Sequence, residues 1–581
     1  MQYRLTFFRI LALLCLLSCS IGFISAMVHA EPTTKIQTTS STRRINAPNL
    51  DGYGGDYLPA VFWLGQVDEI SNHANGRIAY YQDKLSITFH VFDQWLWYDT
   101  TPTPAEFSNW DTVTLYLQTD GNQTGTPSNK AYQFSSQLNY FEARDNYQLV
   151  YRWNGAAWIT DSAAFSTTTG WRGISLNDNN SGDRGWTTTF DIPFSSLGLS
   201  GPPTDGTIWG FAVVVHDRDD NSGTNIPAQT WPETINTQQP TTWGELHFGE
   251  ASYQTTGAAP GGTTTIRQGL NGINVEDGHV GGSTNCGAAF DPNFFNGWGD
   301  ANYARGTQIN IQNQWDVADW PCFSKYYAKF PLTALPSNKV ILSATLTMHQ
   351  FGNANSSAAK PSYIQAFTIK DDWNEATLTW NNAPLAAENI AGAWVDVLTQ
   401  FPGWPGVPIS WDVTKAVQEA YEAGQSVNLA LYSADGDYHS GKYFTSSDTE
   451  DWNAQARPTL NITWGEPAFE LEVTPLSTNI PAKGSAQFTI SINHNDGFAE
   501  TVFISATSPS NDLSLTLSNN QISAPGGEIT LEVMDNRSNP SSSGKIYAIP
   551  ITTTSSSVTK SETIYLFING TQIYLPLVEA K

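Results

Sequence analysis

The chain has 581 residues, of which 14% are charged and 12% are aromatic, and its formal net charge is −26. At about 100–200 residues per domain, this length suggests three or four domains. Few charges combined with 46 Gly and 31 Pro are typical of extracellular β-sandwich proteins, in which turns recur often. Phosphate backbones and anionic bilayers would repel so acidic a chain, which excludes nucleic acid as its ligand.

The first thirty residues have the pattern of a secretory signal peptide. Arg4 and Arg9 precede the uncharged stretch Ile10–Val28, and small residues follow at a suitable cleavage site. Two alternatives stay open: a lipid attached to Cys19, which lies in a lipobox-like stretch, and an uncleaved membrane anchor, since the uncharged run has 19 residues. Each of the three predicts that the bulk of the chain lies outside the cytoplasm, in the medium or at the cell surface.

The cysteines agree with an oxidising compartment. Cys15 and Cys19 belong to the leader, which leaves Cys286 and Cys322 as an even pair. We predict a disulfide between them, which stabilises a fold by about 3–4 kcal/mol in the chain-entropy model. Two cysteines alone do not make a zinc site.

Composition divides the rest of the chain into three domains. Polar segments without apolar periodicity predict linkers, and these breaks give a linker at 31–44, domains at 45–250 and 264–465 separated by a linker at 251–263, and a last domain with a short tail at 466–581. Apolar and polar residues alternate along Lys84–Val91, Thr112–Leu117, Val340–Met348 and Phe469–Val473. The one predicted helix is Val413–Ala423, which ends before Gly424. The fold class is all-β: three sandwiches in series, of jelly-roll and immunoglobulin-like type.

The first domain carries an ordered series of loose motifs. They are Asn49-Leu-Asp-Gly52, Trp110-Asp111, Trp186–Phe194, Trp209–Asp217 and Trp243-Gly-Glu-Leu246. This series resembles the family 9 carbohydrate-binding modules over residues 45–249. The resemblance implies a β-sandwich that binds sugar and has no catalysis of its own.

Aromatic residues around one loop of this domain form a candidate sugar site. Pyranose rings present C–H groups that stack on indole faces, while their hydroxyls bind polar side chains. The candidates are Trp95, Trp97, Phe107 and Trp110. The family resemblance implies that Phe107 or Trp110 forms one side of an aromatic clamp, but the segment Thr234–Thr242, where the opposite Trp is expected, has none. Each of these aromatic residues could instead belong to the sandwich core. For Trp63, Trp209 and Trp231, which lie in or next to strands, we expect a core position.

Two acidic turns of the first domain are candidate calcium sites. One contains Asp120 and Asn122, and the other contains Asp217, Asp219 and Asp220. Calcium takes six to eight oxygen ligands, and alternating Asp and Asn residues on a turn can direct several of them inward. Hairpin turns use the same residues without metal, so the alternative is a purely structural turn.

The second domain carries a longer series of motifs, which include Arg267–Asp277, Tyr327–Pro336, Asp372–Pro384, Trp411–Val417 and Arg457–Thr463. This series resembles the DNRLRE domain, which is grouped with the family 96 carbohydrate-binding modules. A long insert, 285–321, carries Trp298, Trp315 and Trp320, of which we predict Trp298 and Trp320 as a second sugar platform. The family association implies a polysaccharide ligand, and the acidic charge favours a neutral glycan or a calcium-bridged acidic one.

The third domain resembles a bacterial immunoglobulin-like domain through Phe469–Pro475, Asn495–Phe498 and Thr563–Asn569. No chemistry is visible in it, so we expect a spacer or docking module.

The sequence contains no recognisable catalytic constellation. The G-x-S-x-G, H-E-x-x-H and Walker motifs are absent. Carboxylate pairs suited to glycoside hydrolysis are conceivable among Asp371, Asp372 and Glu375, or among Asp448, Glu450 and Asp451, but neighbouring acids on a turn are usually solvated surface. We predict a non-catalytic carbohydrate-binding protein with calcium as its only expected cofactor. The alternatives are a structural, adhesive cell-surface protein and an accessory module of polysaccharide hydrolysis.

Overall fold

The computed structural model describes residues 42–51, 58–179, 182–253, 258, 260–282, 293–313, 323–354, 357–435, 440–495, 498–538 and 544–569. These residues form five β-sheets, which confirms the predicted all-β class of sandwich domains. No helix of the described chain is long and apolar enough to cross a membrane. The expected signal peptide with Cys19, the cysteine pair Cys286 and Cys322, and Trp320 lie outside the described residues.

The first sandwich is formed by thirteen strands of the described chain. They are β1 (Arg44–Ala47), β2 (Ala60–Gly65), β3 (His73–Tyr80), β4 (Lys84–Phe92), β5 (Thr112–Gln118), β6 (Ala131–Gln137), β7 (Gln148–Trp153), β8 (Trp158–Thr160), β9 (Ser166–Arg172), β10 (Gly185–Pro193), β11 (Ile208–His216), β12 (Gln229–Trp231) and β13 (Gly244–Phe248). One sheet has the order β1-β13-β11-β5-β6-β7-β8, with β12 beside β11, and the other has the order β2-β3-β4-β10-β9.

The core between these two sheets is largely aromatic. The Phe62 ring lies 5.8 Å from Phe89, 5.9 Å from Phe211 and 5.4 Å from Trp231, measured between ring centroids. Gly76 on the neighbouring strand leaves room for this cluster, because a Cβ there would lie 2.2 Å from the Phe62 ring. Alternating inward residues of paired strands produce such a core directly.

The second sandwich contains eleven strands and one α-helix among the described residues. They are β14 (Pro260–Arg267), β15 (Glu276–Gly281), β16 (Gln308–Asn313), β17 (Phe323–Phe330), β18 (Val340–Asn353), β19 (Ser362–Thr368), β20 (Glu388–Val395), β21 (Val407–Asp412), α1 (Thr414–Glu422), β22 (Val427–Ser433), β23 (Lys442–Thr445) and β24 (Thr459–Gly465). Their pairing runs β14-β24-β18-β23-β16-β17-β22-β19-β20, with β15 beside β17 and β21 beside β18.

The helix predicted near residue 413 is present as α1. It begins at Thr414, whose backbone N–H and hydroxyl donate to the carboxylate of Asp412, the last residue of β21, at 2.9 and 2.6 Å. Gly424 ends it with φ of +65°. Short 3-10 turns lie at Phe107–Asn109, Arg144–Tyr147, Phe194–Leu197, Pro240–Thr242, Leu270–Gly272, Trp298–Asp300, Glu375–Thr377 and Asp451–Ala456.

The third sandwich packs a four-stranded sheet, β25-β27-β31-β29, on a five-stranded sheet, β26-β33-β32-β28-β30. Its strands are β25 (Phe469–Thr474), β26 (Ser477–Ile480), β27 (Ser485–His494), β28 (Val502–Ala506), β29 (Leu513–Leu517), β30 (Gln521–Ile522), β31 (Gly526–Asp535), β32 (Lys545–Thr554) and β33 (Thr559–Ile568). Buried Asp535 and Arg537 form a two-point ion pair, with both nitrogen–oxygen distances at 2.8 Å.

The first two sandwiches share an apolar core. Trp63, only 2% exposed, points away from the interior of its own sandwich, and its ring lies 5.1 Å from Phe367 and 5.7 Å from Tyr432 of the second. Phe92 extends the contact, since its ring lies 4.5 Å from Phe323. The buried ammonium group of Lys325 lies 4.4 Å from the centre of the Trp63 ring.

Buried hydrogen bonds fix the same interface. Arg77 on β3 donates to the carbonyl oxygens of Ala434, Asp435 and Asn313 at 3.0, 3.1 and 3.3 Å. The Asn389 side chain accepts from the Asn46 backbone N–H at 2.8 Å and donates to the Asn46 carbonyl at 3.0 Å, while the Asn46 side chain donates to the Asn389 carbonyl at 2.7 Å. Bonds of this kind require a single relative placement of the two sandwiches.

Candidate functional site

Three strand ends of the first sandwich bring acidic residues together. Strand β4 ends at Phe92 and is followed by Asp93, whereas β11 ends at His216 and is followed by Asp217. Strand β5 begins just after Asp111, and His216 lies opposite Thr112 in the antiparallel pairing of β5 and β11. Asp111 and Asp217 therefore emerge at the same end of the sandwich, beside Asp93.

Asp93, Asp217 and Asp219 form the acidic cluster of this site. A carboxylate oxygen from each lies within 4.8 Å of the other two. Asp93 is 1% exposed and Asp217 is 9% exposed, yet Oδ2 of Asp93 and both carboxylate oxygens of Asp217 have no hydrogen-bond partner. Buried polar atoms are nearly always satisfied in native proteins, so these three oxygens point to a partner of opposite charge.

Burial and mutual repulsion disfavour the charged forms of the cluster. Desolvation, followed by the charges of neighbouring aspartates, raises the pKa values of Asp93, Asp111 and Asp217 well above the usual 3.8. Desolvation, followed by the negative charges of Asp220 and Asp68, raises the pKa of Asp219 to about 7. A bound cation would reverse these shifts, because it stabilises the ionised carboxylates.

Asp111 holds the loops of the site rather than offering a free ligand. Its Oδ2 accepts a hydrogen bond from the backbone N–H of Trp97 at 2.7 Å, and its Oδ1 accepts one from that of Arg218 at 3.0 Å. These two bonds join the loop after β4 to the loop after β11. Apart from the Trp110-Asp111 pair, no sequence pattern indicated this structural function of Asp111.

The donor set of the acidic cluster fits a hard cation. It offers carboxylate oxygens only, which are the ligands that calcium prefers, with room in its coordination for carbonyls and water. Within the described residues this is the only group of three His, Cys, Asp or Glu side chains that could share one ion. No sulfur or imidazole that would favour zinc belongs to it.

Of the predicted calcium ligands, Asp217 and Asp219 belong to the cluster, whereas Asp120, Asn122 and Asp220 do not. Asp120 and Asn122 lie on the exposed turn after β5, at the far end of that strand, where the Asn122 N–H donates to Asp120 Oδ1 at 3.2 Å. Asp220 accepts bonds from the Ser222 hydroxyl and the Thr224 N–H at 2.7 and 3.1 Å. The prediction for these three is corrected, because their oxygens stabilise their own turns.

Two of the predicted sugar-stacking aromatics remain partly accessible beside the acidic cluster. Trp95 and Trp110 are half-buried. The guanidinium of Arg218 covers one face of Trp110, with its carbon 3.8 Å from the ring centre. The Trp95 indole N–H donates to the Glu69 carbonyl at 3.2 Å, and its backbone N–H donates to Asp93 Oδ1 at 2.8 Å.

Trp97, Phe107 and Trp298 have no exposed face, which corrects their assignment as stacking residues. They are 5%, 5% and 8% exposed. The backbone N–H of Trp97 is bonded to Asp111, and Phe107 is the buried first residue of a 3-10 turn. Trp298 lies 4.7 Å from Phe294 and packs in the core that the first two sandwiches share. The expected positions of Trp209 and Trp231 in the core of the first sandwich are confirmed, whereas Trp63 is buried in the core shared with the second sandwich.

Two carboxylates of the first set considered for glycoside hydrolysis form ion pairs. Asp371 pairs with Arg43, and the Lys329 ammonium lies 2.9 Å from Asp372. Desolvation, followed by the charge of Asp448, raises the pKa of Glu375 to about 7.

Comparisons with known proteins give one family match. Residues 295–464 match the model of carbohydrate-binding module family 96, which confirms that resemblance. Among solved structures, the chain is similar to a family 9 carbohydrate-binding module from Caldicellulosiruptor kristjanssonii in complex with cellotriose, and to the same module with glucose. Both share 17% identity, cover 38% and 37% of this chain and 100% of that one, and have TM-scores of 0.25 and 0.24. Surface layer protein SbsC, domains 1–6, shares 11% identity, with 84% of this chain and 53% of that one covered and a TM-score of 0.14. No curated protein matches the chain.

Proposed function

We propose that this protein is a secreted, non-catalytic carbohydrate-binding protein. The observation that carries the proposal is the match of residues 295–464 to carbohydrate-binding module family 96. The net charge of −26 favours a neutral glycan, because an acidic one would be repelled.

We further propose that the acidic cluster of Asp93, Asp217 and Asp219 binds calcium. The ion would supply the missing partner of the three unbonded carboxylate oxygens. Since Asp93 follows β4 and Asp217 follows β11, one ion would join the two sheets of the first sandwich at this end. Phe92 next to Asp93 packs on the second sandwich, so the ion would also stabilise the shared core.

In this proposal the first sandwich has a sugar-binding surface at the same end. Trp110 offers the ring face that Arg218 leaves uncovered, and Trp95 lies on the neighbouring loop. The Arg218 N–H groups already donate to the carbonyls of Asp220 and Asn221 at 2.8 Å, so Arg218 positions Trp110 rather than contacting sugar hydroxyls. Calcium would act structurally here, because Asp93, one of its proposed ligands, also accepts a hydrogen bond from the backbone N–H of Trp95.

A glycan array probed with the mature chain, with calcium and with a chelator, tests the proposed function. We expect saturable binding to neutral polysaccharide that weakens when calcium is removed. Trp110→Ala should reduce any binding made by the first sandwich, whereas Asp120→Asn, on its exposed turn, serves as the matched control. A blank array from the folded chain would contradict carbohydrate binding and favour a structural, adhesive cell-surface protein.

A further inference from the structure

We propose that the second sandwich binds a neutral, β-linked polysaccharide on an exposed aromatic platform formed by Phe401, Trp404 and Trp452. These side chains are 57%, 46% and 65% exposed. Trp404 is central: its ring centroid lies 5.2 Å from Phe401 and 5.5 Å from Trp452. This inference rests on the proposed function and places a binding surface within the family 96 region.

The platform is held in place from below. The half-buried ring of Phe351 lies 5.6 Å from Trp404 and 6.2 Å from Tyr443. Phe351 occupies a bulge in the pairing of β18 with β23, where the register shifts between Gln350 and Gly352. A bulge redirects a side chain, and here it puts Phe351 beneath the exposed indole.

The loop that carries Phe401 and Trp404 is fixed at both ends. At its start, Asn353 donates to the Leu398 carbonyl at 2.7 Å and accepts from the Leu398 N–H at 3.0 Å. At its end, Gly406 has φ of +106°, and a Cβ there would lie 2.6 Å from the Gln350 carbonyl oxygen, so this close approach requires glycine. An exposed ring on a fixed loop loses little conformational entropy when a ligand stacks on it.

The shape and composition of the platform favour sugar over a protein partner. Every large apolar side chain that is exposed among the described residues of the second sandwich is aromatic, and aromatic rings stack on the C–H faces of pyranose rings. Three rings of this exposure present roughly 300–400 Å², about half of the ~800 Å² that each partner buries in a stable protein complex. The ring planes of Trp404 and Trp452 lie at 82° to each other. A pyranose can therefore stack its face on one of the two rings while the edge of the sugar contacts the other ring.

The charge at the rim of the platform indicates which glycan fits. The Asp451 side chain, next to Trp452, is 96% exposed and contacts Arg457 at 2.8 Å. A carboxylate accepts hydrogen bonds from sugar hydroxyls but repels uronates. β-Linked glucose or xylose units, whose ring faces carry only axial C–H groups, suit both the rings and this carboxylate.

Binding isotherms of the full chain on insoluble β-glucan and xylan, with alginate as the acidic comparison, test the platform. In a Trp110→Ala background, which removes the surface proposed on the first sandwich, Trp404→Ala and Trp452→Ala should each weaken binding to the neutral polymer by about tenfold or more. Trp394→Ala, which removes another exposed Trp of the same sandwich that contacts Tyr363 instead, should leave binding within about twofold. Thermal unfolding of each variant confirms that the fold is intact, and Trp452→Phe should restore part of the affinity.

The possible failures are distinguishable. If the wild-type chain binds neutral polysaccharide and both platform variants bind equally well, the platform is wrong while the proposed function stands. If the wild-type chain binds alginate alone, the proposed glycan class is wrong. If it binds no polysaccharide, the platform and the proposed function are both overturned.

Discussion

Replacing Asp217 by Asn removes a negative charge from the acidic cluster, and its effect on stability should change sign with calcium. Without metal, repulsion and burial oppose the ionised forms of Asp93, Asp217 and Asp219. The amide keeps the shape of the side chain and removes the charge. We therefore expect the metal-free variant to be more stable than the metal-free wild type at pH 8, and less stable once calcium is added.

The Asp219 pKa of about 7, against the usual 3.8, gives the order of magnitude for one carboxyl group of the cluster, and the pKa of Asp217 is raised in the same direction. A shift of about three units corresponds to about 4 kcal/mol, and because Asp219 is half-buried, solvent screening reduces this to about 2 kcal/mol. A folded-state pKa above the unfolded value means that the folded state binds the proton more tightly. The metal-free wild type therefore loses this free energy of unfolding as the pH rises from about 4 to 7.

Calcium should restore the loss. At a free concentration of about one hundred times Kd, a ligand that binds the folded state alone adds about 2.7 kcal/mol, which raises Tm by roughly 5–10 °C in a domain of about 200 residues. The gain should be present at pH 8 and vanish near pH 4, where the carboxyl groups are protonated. Differential scanning calorimetry with calcium or with chelator measures it, and Asp120→Asn, on the exposed turn, should respond like wild type. Identical transitions with calcium and chelator, or a metal-free Asp217→Asn chain less stable than wild type at pH 8, would refute the reasoning.

Three further changes test other parts of the fold. Trp63→Ala should cost about 3–5 kcal/mol and separate the unfolding of the first two sandwiches into two calorimetric transitions; one unchanged transition would contradict the shared core. Asp535→Asn should lower the Tm of the third sandwich by about 5 °C at pH 7. The difference should shrink as the pH falls below about 4, because the Arg537 hydrogen bonds lower the pKa of Asp535 and the stability they confer is lost as the carboxyl group is protonated; an equal difference at pH 7 and at pH 2 would argue against it. Gly406→Ala should weaken polysaccharide binding about tenfold by forcing its loop away from the Gln350 carbonyl, and unchanged affinity would show that the loop position does not matter.

Local features of the fold were predictable because they depend on local signals. The alternation over Lys84–Val91 gives β4, and the apolar periodicity that stops at Gly424 gives α1. Asp217 and Asp219 were found as metal candidates because they alternate on one turn. Asp93 was missed as their partner, since it follows a different strand far away in the sequence, and only the packing of the two sheets brings it near.

Exposure of aromatic side chains was the least predictable property. Trp97 and Trp404 both lie in loops, but the first is 5% exposed and the second 46%, with the ring of Phe351, at the bulge of β18, packed against Trp404. The sequence did carry a weak signal for the platform, because Phe401-Pro-Gly-Trp-Pro-Gly406 has the turn residues of a surface loop. The sequence also carries a signal for the shared core, because β2 is apolar at successive positions, as expected of a strand that is covered on both faces.

The shared core limits how this protein can be dissected. A fragment cut at the composition break near residue 251 would carry Val61, Trp63 and Phe92, all at most 2% exposed in the whole chain, on an open surface. A contiguous apolar patch of this kind promotes aggregation, so a fragment of the first sandwich alone should express poorly even though its own sheets are complete. Expression trials should therefore keep the first two sandwiches together, and insolubility of a single-sandwich fragment would say nothing about its affinity for sugar.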